Sequence, residues 1–138
     1  MTAAVFDSSV IVAGSGWRGE SHLCLVAMAR RRVRVFTSAW ILDEVRRAIS
    51  DLLAERELER EPLPIINWFA EKARLVSPWR TGKQRSRDPK DDPILGTALS
   101  AHVRIIVSLN NDLLVLEKPF GISVLRPREF LARLHRPI

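Results

Sequence analysis

The chain has 138 residues, of which 46% are hydrophobic and 28% are charged, so it fits one globular domain and is not intrinsically disordered. Its formal net charge of +6 and sequence pI near 10.6 favour an anionic partner, of which nucleic acid is the commonest. The single Cys24 excludes a disulfide-stapled secreted domain, and no apolar run approaches the ~18 residues that span a membrane. We therefore expect a cytoplasmic protein without membrane contact.

The hydrophobic pattern predicts short strands that alternate with helices. Strands are expected at residues 2–6, 33–37, 75–76, 104–108 and 122–125. Helices are expected at residues 21–31, from a cap at Ser38 through 48, from Pro62 or Pro64 through 73, and at 92–101, 112–116 and 127–134. Ser8 or Ser9 is expected to cap a turn at residues 10–13, residues 51–60 have helical charge patterning, and residues 78–90 are predicted to be a mobile loop. Short apolar strands between helices imply an α/β fold with a parallel sheet covered on both faces, and no repeat or long linker divides residues 1–138 into more than one domain.

Acidic residues stand at the ends of several of these elements. Asp7 follows the first strand, Asp92 begins a helix, and Asp112 follows the 104–108 strand, while Glu44 lies on a helix. Carboxylates at strand C-termini and helix N-termini converge at one edge of an open parallel sheet. Because converging carboxylates repel one another, such a cluster is normally neutralised by a hard divalent cation. The pattern predicts metal-assisted chemistry.

Four motifs, in order, resemble those of PIN-domain proteins. They are VFDSSVI at residues 5–11, ILDEV at 41–45, DPKDDPIL at 88–95 and IVSLNNDLL at 106–114, and they carry Asp7, Glu44, Asp92 and Asp112. The tail at residues 121–131, GISVLRPREFL, is typical of one PIN subgroup, the VapC-like toxins of toxin–antitoxin pairs. The resemblance covers essentially the whole chain and implies a three-layer α/β/α domain with a central parallel sheet.

The resemblance implies a metal-dependent endoribonuclease that cleaves single-stranded RNA with Mg²⁺ or Mn²⁺. In this reading Asp7, Glu44, Asp92 and Asp112 are catalytic, with Asp7 and Asp92 as principal metal ligands. Glu44 is expected to bind the metal or hold a metal-bound water, and Asp112 to act directly or through a neighbouring ligand. The resemblance further implies an antitoxin bound over the acidic cleft and a homodimer.

One position departs from the family pattern. Asn110 stands where the fourth motif usually has an Asp, and the second Asp of the motif is kept as Asp112. An amide oxygen can coordinate a hard cation but brings no negative charge, so the metal affinity should be lowered. We expect Asn110 to be a neutral ligand or a hydrogen-bond donor to phosphate. Ser9, where the family often has Asn, is expected to orient Asp7 or to contact RNA.

Basic residues gather in two places. Arg80, Lys83, Arg85 and Arg87 follow Trp79 in the predicted loop and could guide a single strand towards the acids, because arginine and aromatic side chains suit phosphate contact and base stacking. A second cluster, Arg30, Arg31, Arg32 and Arg34, is interpreted as a solvated helix end. Trp17, Trp40 and Trp68 are expected in the core or at an interface.

Two other functions compete with the ribonuclease. The first is a PIN-like protein that binds nucleic acid or a protein partner with weakened turnover, which Asn110 motivates. The second is a doubly wound signalling domain of the response-regulator type, in which clustered acids also bind Mg²⁺. The second lacks the expected pair of acids after the first strand, although Lys118-Pro119 resembles its downstream lysine.

Overall fold

The structure is a computed structural model that describes residues 1–53, 58–78, 92–116 and 118–135. Within these ranges the chain forms five β-strands and seven α-helices. In chain order they are β1 (Thr2–Phe6), α1 (Ser8–Gly16), α2 (Glu20–Ala29), β2 (Val33–Thr37), α3 (Ala39–Leu53), α4 (Leu63–Lys72), β3 (Arg74–Leu75), α5 (Asp92–Ala101), β4 (Ile105–Val107), α6 (Asn111–Leu114), β5 (Ser123–Leu125) and α7 (Pro127–Leu134). A short 3-10 turn, Pro119–Gly121, leads into β5. The predicted alternation of strands and helices is confirmed.

The five strands form one parallel sheet in the order β3-β2-β1-β4-β5. Helices cover it as the outer layers of a three-layer α/β/α fold, which confirms the predicted fold class. The central strand β1 is almost entirely apolar because both of its faces are covered, and Ala4, Val5 and Phe6 are fully buried.

The last helix is tied to the central strand by an aromatic pair. The rings of Phe6 and Phe130 meet edge to face with centroids 5.8 Å apart, and both side chains are fully buried. Such pairs add about 0.5–1.5 kcal/mol beyond the burial of their area. The backbone N–H of Arg126 donates to Glu129 Oε1 at 3.0 Å, so the start of α7 is capped as well.

Two local predictions were corrected by the structure. Ser8 and Ser9 do not cap a turn, because helix α1 already begins at Ser8 with Asp7 in the N-cap position. The helical charge pattern of residues 51–60 is confirmed for residues 51–53, which belong to α3, and is wrong for residues 58–60, while residues 54–57 lie outside the described residues. The cap expected from Ser38 is present, since its Oγ accepts from the Ile41 N–H at 3.4 Å.

The strand order reverses between β1 and β4, which defines the position of the crevice. In open α/β sheets ligands bind outside the carboxyl ends of the strands at this reversal point. Asp7 follows β1 and Ser108 follows β4, so both residues stand at that crevice.

None of the helices in the described ranges is both long and apolar enough to cross a membrane. The prediction that residues 1–138 form one domain stays a prediction.

Candidate active site at the carboxyl edge of the sheet

Asp7 lies at the centre of the candidate site. Its side chain is only 2% exposed, although it stands directly after the central strand. Its backbone N–H donates to Val107 O at 2.9 Å, which extends the β1–β4 pairing by one residue. Asp7 occupies the N-cap position of α1, but its side chain makes no capping hydrogen bond. The carboxylate is therefore directed to other partners.

Two serine hydroxyls fix one oxygen of this carboxylate. Ser9 Oγ and Ser108 Oγ each donate to Asp7 Oδ2 at 2.8 Å. The same hydroxyl oxygens accept from the loop that follows β4, Ser9 from the Leu109 N–H at 3.1 Å and Ser108 from the Asn110 N–H at 2.9 Å. Each serine thus links a loop amide to the carboxylate, so the orientation of Asp7 is set before any ligand binds.

Ser8 connects Asp7 to the helix-borne acid. Glu44 is half-buried on α3, and its Oε1 accepts a short hydrogen bond from Ser8 Oγ. Ser8 Oγ also lies 3.4 Å from Asp7 Oδ1. A hydroxyl has one proton, and the shorter contact to Glu44 takes it. Among the described residues, Asp7 Oδ1 is then left without a proton donor.

Asp112 and Asn110 lie at the same edge, and Asn110 has a structural role there. Asn110 is the N-cap of α6, and its Oδ1 accepts from the Asp112 N–H at 2.9 Å. Its amide oxygen is engaged in capping, so the roles expected for it as metal ligand or phosphate donor remain predictions. Asp112 is half-buried in the first turn of α6.

Asp92 is placed by helix α5. The helix begins at Asp92 and leads from Ala101 into the start of β4, so its first turn lies towards the carboxyl edge of the parallel sheet. Thr97 Oγ1, farther along α5, lies 3.0 Å from the hydroxyl of Ser38, which directly follows β2. The helix is thereby held against the strand ends. Asp92 is half-buried.

The oxygen donors around Asp7 suit a hard divalent cation. In the described part of the chain no three His, Cys, Asp or Glu side chains form a group able to hold one. The donors near Asp7 are all oxygens, which suits Mg²⁺ or Mn²⁺ rather than a softer metal. Mg²⁺ is usually bound through one or two carboxylates, with water and substrate phosphate completing its shell. The pair Asp7 and Glu44 fits a cation held in that way.

Electrostatics favour a cation at the same place. Within the described ranges, neither Asp7 nor Glu44 forms an ion pair with a basic side chain. Hydroxyl hydrogen bonds stabilise the buried charge only in part, because a carboxylate loses much hydration on burial. A bound cation would compensate both carboxylates.

Two of these site residues were missed by the sequence interpretation. Ser108 was identified only as the end of a strand, and Ser8 only as a possible cap. The strand register contains the missing signal, since Phe6 pairs with Val107 and the next residues, Asp7 and Ser108, therefore lie side by side. The four predicted RNA contacts Arg80, Lys83, Arg85 and Arg87 lie outside the described residues.

Solved structures with the same architecture were found. PAE2754 from Pyrobaculum aerophilum superimposes with a TM-score of 0.65 and 14% identity, covering 96% of this chain and 89% of that one. FitAcB from Neisseria gonorrhoeae gives a TM-score of 0.51 with 18% identity, covering 91% of this chain and 98% of that one. At these identities the likeness shows the fold.

The family follows from the sequence itself. No curated protein sequence gives a match. The profile of the PIN domain matches residues 3–112, a stretch that contains Asp7, Glu44, Asp92 and Asp112. The match covers well over half of the chain and agrees with the motif order and with the shared architecture. This chain belongs to the PIN domain family.

Proposed function

We propose that this PIN domain is a metal-dependent endoribonuclease that cleaves single-stranded RNA. PIN domains are in general nucleases, that is, hydrolases of phosphodiester bonds. The observation that supports the proposal most directly is the link from Asp7 through Ser8 to Glu44 at the reversal point of the sheet. Two carboxylates from separate elements lie near the same Ser8 hydroxyl there, without a basic partner among the described residues.

Different residues of the chain would bind the metal, add negative charge and position Asp7. Asp7 Oδ1 and Glu44 would hold Mg²⁺ or Mn²⁺, and Asp92 and Asp112 would add negative charge from the starts of α5 and α6. A bound divalent cation supplies charge neutralisation at the phosphoryl group and lowers the pKa of a coordinated water. Ser9 and Ser108 hold Asp7 in place, so little reorganisation is needed when a substrate binds.

RNA is proposed as the substrate on grounds of charge and family. The net charge of +6 attracts a polyanion and speeds its encounter. Arg80, Lys83, Arg85 and Arg87 are proposed to contact the strand in the segment before α5.

The biological setting is proposed from the resemblance to PIN toxins. We expect a cytoplasmic toxin whose cognate antitoxin covers the acidic cleft, and a homodimer in the free state. A gene beside this one that encodes a small protein, and co-purification of that protein with this chain, would support the pairing. Light scattering on the purified protein measures the oligomeric state.

The first test is a calorimetric Mn²⁺ titration together with cleavage of a generic single-stranded RNA. Wild type is compared with Asp7→Asn, and Asp43→Asn serves as the control because Asp43 is exposed and precedes Glu44. Both control and variant lose one negative charge, so a general charge effect would appear in both. We expect Mn²⁺ binding and cleavage to be lost in Asp7→Asn and kept in Asp43→Asn. Equal behaviour of the two variants would contradict the proposed site.

A second candidate is a PIN-like protein that binds RNA or a protein partner with little turnover. Asn110 favours it, because this residue brings no charge to the cleft and uses its amide oxygen to cap α6. This candidate predicts RNA binding without metal and no cleavage at millimolar Mn²⁺, whereas the nuclease predicts cleavage that depends on Asp7.

A further inference from the structure

A basic cavity lies beside β2 and β3 and reaches Met1 at the start of β1, whereas Asp7 follows the end of β1. Its volume is about 400 Å³, and its lining includes Arg31, Arg34, Lys72, Arg74 and Trp68. No acidic residue is among the described residues that line it. The four cations come from different elements, the end of α2, the strand β2, the end of α4 and the strand β3. Only the tertiary structure brings Arg31 and Arg34 next to Lys72 and Arg74.

The sheet leaves room for this cavity. Within the described residues β3 pairs only with Phe36 and Thr37, the last two residues of β2. Val33 and Val35, nearer the start of β2, border the cavity instead. Met1, which precedes β1, is also in the lining, whereas Asp7 follows the same strand. At the rise of an extended chain, Met1 is roughly 20 Å from Asp7, whereas Val35 and Arg74 in the lining are level with the middle of β1.

The four cations have no acidic partner in the described part of the chain. The ion pairs formed there by arginines join Arg46 to Asp43 and Arg128 to Glu20, and neither involves the cavity. Arg31, Arg34, Lys72 and Arg74 are all exposed. Like charges around one concave surface raise its positive potential and concentrate anions from solution. The cavity therefore suits a ligand that brings several negative charges.

Arg31, which lines the cavity, has a backbone conformation that is unfavourable for arginine. Its φ is +59°, in the left-handed region that disfavours residues with a Cβ. Arg31 N–H donates to Met28 O at 3.0 Å and Arg32 N–H donates to Ala27 O at 2.9 Å, which is the helix-ending motif that usually has glycine at this position. Arginine therefore occupies a position where glycine is preferred, as His102 does at the end of α5.

The neighbouring arginine behaves differently. Arg32 directs a guanidinium nitrogen to Leu134 O and to His135 Nδ1, each at 3.3 Å, and so ties the end of α2 to the end of α7. The run that the sequence presented as one solvated cluster is thus divided, with Arg31 and Arg34 at the cavity and Arg32 in a structural contact.

Trp68 gives the cavity its second chemical feature. The residue is partly buried on α4, packs against the hydrophobic core and also contributes to the cavity lining. An indole held by the core is a stacking platform for an unpaired base, and stacking of this kind adds to phosphate contacts in single-strand binding. A cavity of about 400 Å³ lies within the usual ~300–1,000 Å³ of small-ligand pockets, so one nucleotide fits.

We infer that this cavity is a second RNA-binding site, which holds the phosphates of a single strand with Arg31, Arg34, Lys72 and Arg74 while a base stacks on Trp68. The inference rests on the proposed function in that the strand held here is the substrate of the carboxylate site. An RNA strand fits better than an acidic peptide because the aromatic residue lies among the cations. The site would hold the substrate away from the cleaved bond and so raise affinity and residence time.

The test measures binding without cleavage. A fluorescently labelled single-stranded RNA is titrated in EDTA at several salt concentrations, with anisotropy as the readout, against wild type, Arg31→Gly, Arg34→Gln and Trp68→Leu. Arg133→Gln is the control, because Arg133 is exposed on α7 and outside the cavity lining. Arg31→Gly should weaken RNA binding and reduce the salt slope by about 0.7, the value for one phosphate contact on a single strand. Trp68→Leu should weaken binding roughly ten-fold.

Arg31→Gly separates binding from folding. Glycine accepts the left-handed conformation, so this variant should have a higher melting temperature than wild type while it binds RNA less well. A loss of binding caused by a damaged fold would instead come with a lower melting temperature. Unchanged RNA affinity of Trp68→Leu would overturn the stacking of a base on Trp68. Because Trp68 packs against the core, a weakened affinity supports stacking only if the melting temperature equals that of wild type.

The outcomes distinguish this inference from the proposed nuclease function. RNA affinities of Arg31→Gly and Arg34→Gln equal to that of Arg133→Gln would overturn the inference, whatever the cleavage assay shows. The same variants are also titrated with polyglutamate. If Arg31→Gly and Arg34→Gln bind polyglutamate more weakly than wild type but bind RNA equally well, the inference is overturned and the cavity is assigned to an acidic protein segment. Absence of Asp7-dependent cleavage alongside weakened RNA binding in the cavity variants would contradict the nuclease and support this site.

Discussion

Ser108 Oγ donates a 2.8 Å hydrogen bond to Oδ2 of Asp7, although 101 residues separate the two in the chain. The same oxygen accepts from the Asn110 N–H, so Ser108 joins the end of β4 to the carboxylate that follows β1. Both side chains are buried: Ser108 has no exposed surface, and Asp7 is 2% exposed. This contact fixes the side-chain orientation on which the proposed metal site depends.

Replacing Ser108 by alanine should weaken both the fold and the site. The change leaves Asp7 Oδ2 with Ser9 alone and removes the acceptor of the Asn110 N–H, and a buried polar group that loses its partner costs about 1–3 kcal/mol. We expect urea denaturation to show a loss of that size and Mn²⁺ affinity to fall. Ser50→Ala is the matched control, since Ser50 is exposed and its hydroxyl donates to Arg46 O within its own helix, and it should change the unfolding free energy by less than about 0.5 kcal/mol. Equal stability of the two variants would contradict the role of Ser108.

Asn110→Asp should increase metal affinity without loss of the helix cap. Aspartate caps as well as asparagine, so the bond from the Asp112 N–H to the side chain is kept while one negative charge is added to the cleft. In EDTA the extra charge should lower the melting temperature through repulsion with the neighbouring acids, and Mn²⁺ should reverse that loss. Calorimetry and thermal denaturation with and without Mn²⁺ check both effects.

The comparison variant at this position is Asn110→Ala. It loses the cap and should cost about 0.5–2 kcal/mol of unfolding free energy, with little effect on Mn²⁺ affinity. If Asn110→Asp leaves Mn²⁺ affinity and cleavage at wild-type levels, position 110 does not reach the bound ion.

Gly14→Ala should destabilise the protein despite the better helix propensity of alanine. A Cβ at Gly14 would lie 2.8 Å from both Leu25 Cδ1 and the backbone oxygen of Ser21, where α1 packs against α2. The higher helix propensity of alanine would add up to about 1 kcal/mol to the free energy of unfolding, but overpacking against a backbone atom would remove about 1–3 kcal/mol. We expect a net loss of about 1 kcal/mol in urea denaturation. Gly16→Ala is the control on the same helix, because among the described residues its new methyl would meet only the flexible end of Leu58. A loss equal to that of Gly14→Ala would refute the steric argument.

Cys24 should be chemically inert, and its titration should lower the free energy of unfolding at alkaline pH. Burial, with a smaller contribution from the charge of Glu20, raises the pKa of the Cys24 thiol to about 12. The folded state therefore holds the thiol proton more tightly than the unfolded state. The resulting stability is fully present below about pH 9 and is lost as the pH rises from there to about 12, with a slope of up to about 1.4 kcal/mol per pH unit.

The measurement for Cys24 compares the unfolding free energies of wild type and Cys24→Ala between pH 8 and 12, so that other titrating groups cancel. As the pH rises across that range, wild type should lose unfolding free energy relative to Cys24→Ala. A thiol reagent such as Ellman's should label Cys24 at pH 8 only after denaturation, since the side chain is fully buried. Rapid labelling of the native protein would contradict this prediction.

Much of the fold could be predicted from local patterns. Strands β1 and β2 and helix α5 have the predicted bounds, because a short run rich in apolar residues and a helical spacing of apolar residues are local properties of the chain. The order of the acidic motifs also pointed to Asp7 and Glu44 and to the PIN family. These features need no knowledge of which strands become neighbours.

The tertiary structure decided what each polar side chain contacts. Ser8 donates to Glu44 instead of capping a turn, Ser108 fixes Asp7, and Asn110 uses its amide oxygen as a cap. The basic cavity around Trp68 likewise combines residues from α2, β2, α4 and β3. The physical reason is that a hydrogen bond or a cavity depends on distances in space, and the strand order β3-β2-β1-β4-β5 brings together Asp7 and Ser108, which are 101 positions apart. Sequence periodicity fixes which residues face the core, whereas the partners of the polar residues follow only once the strands have paired.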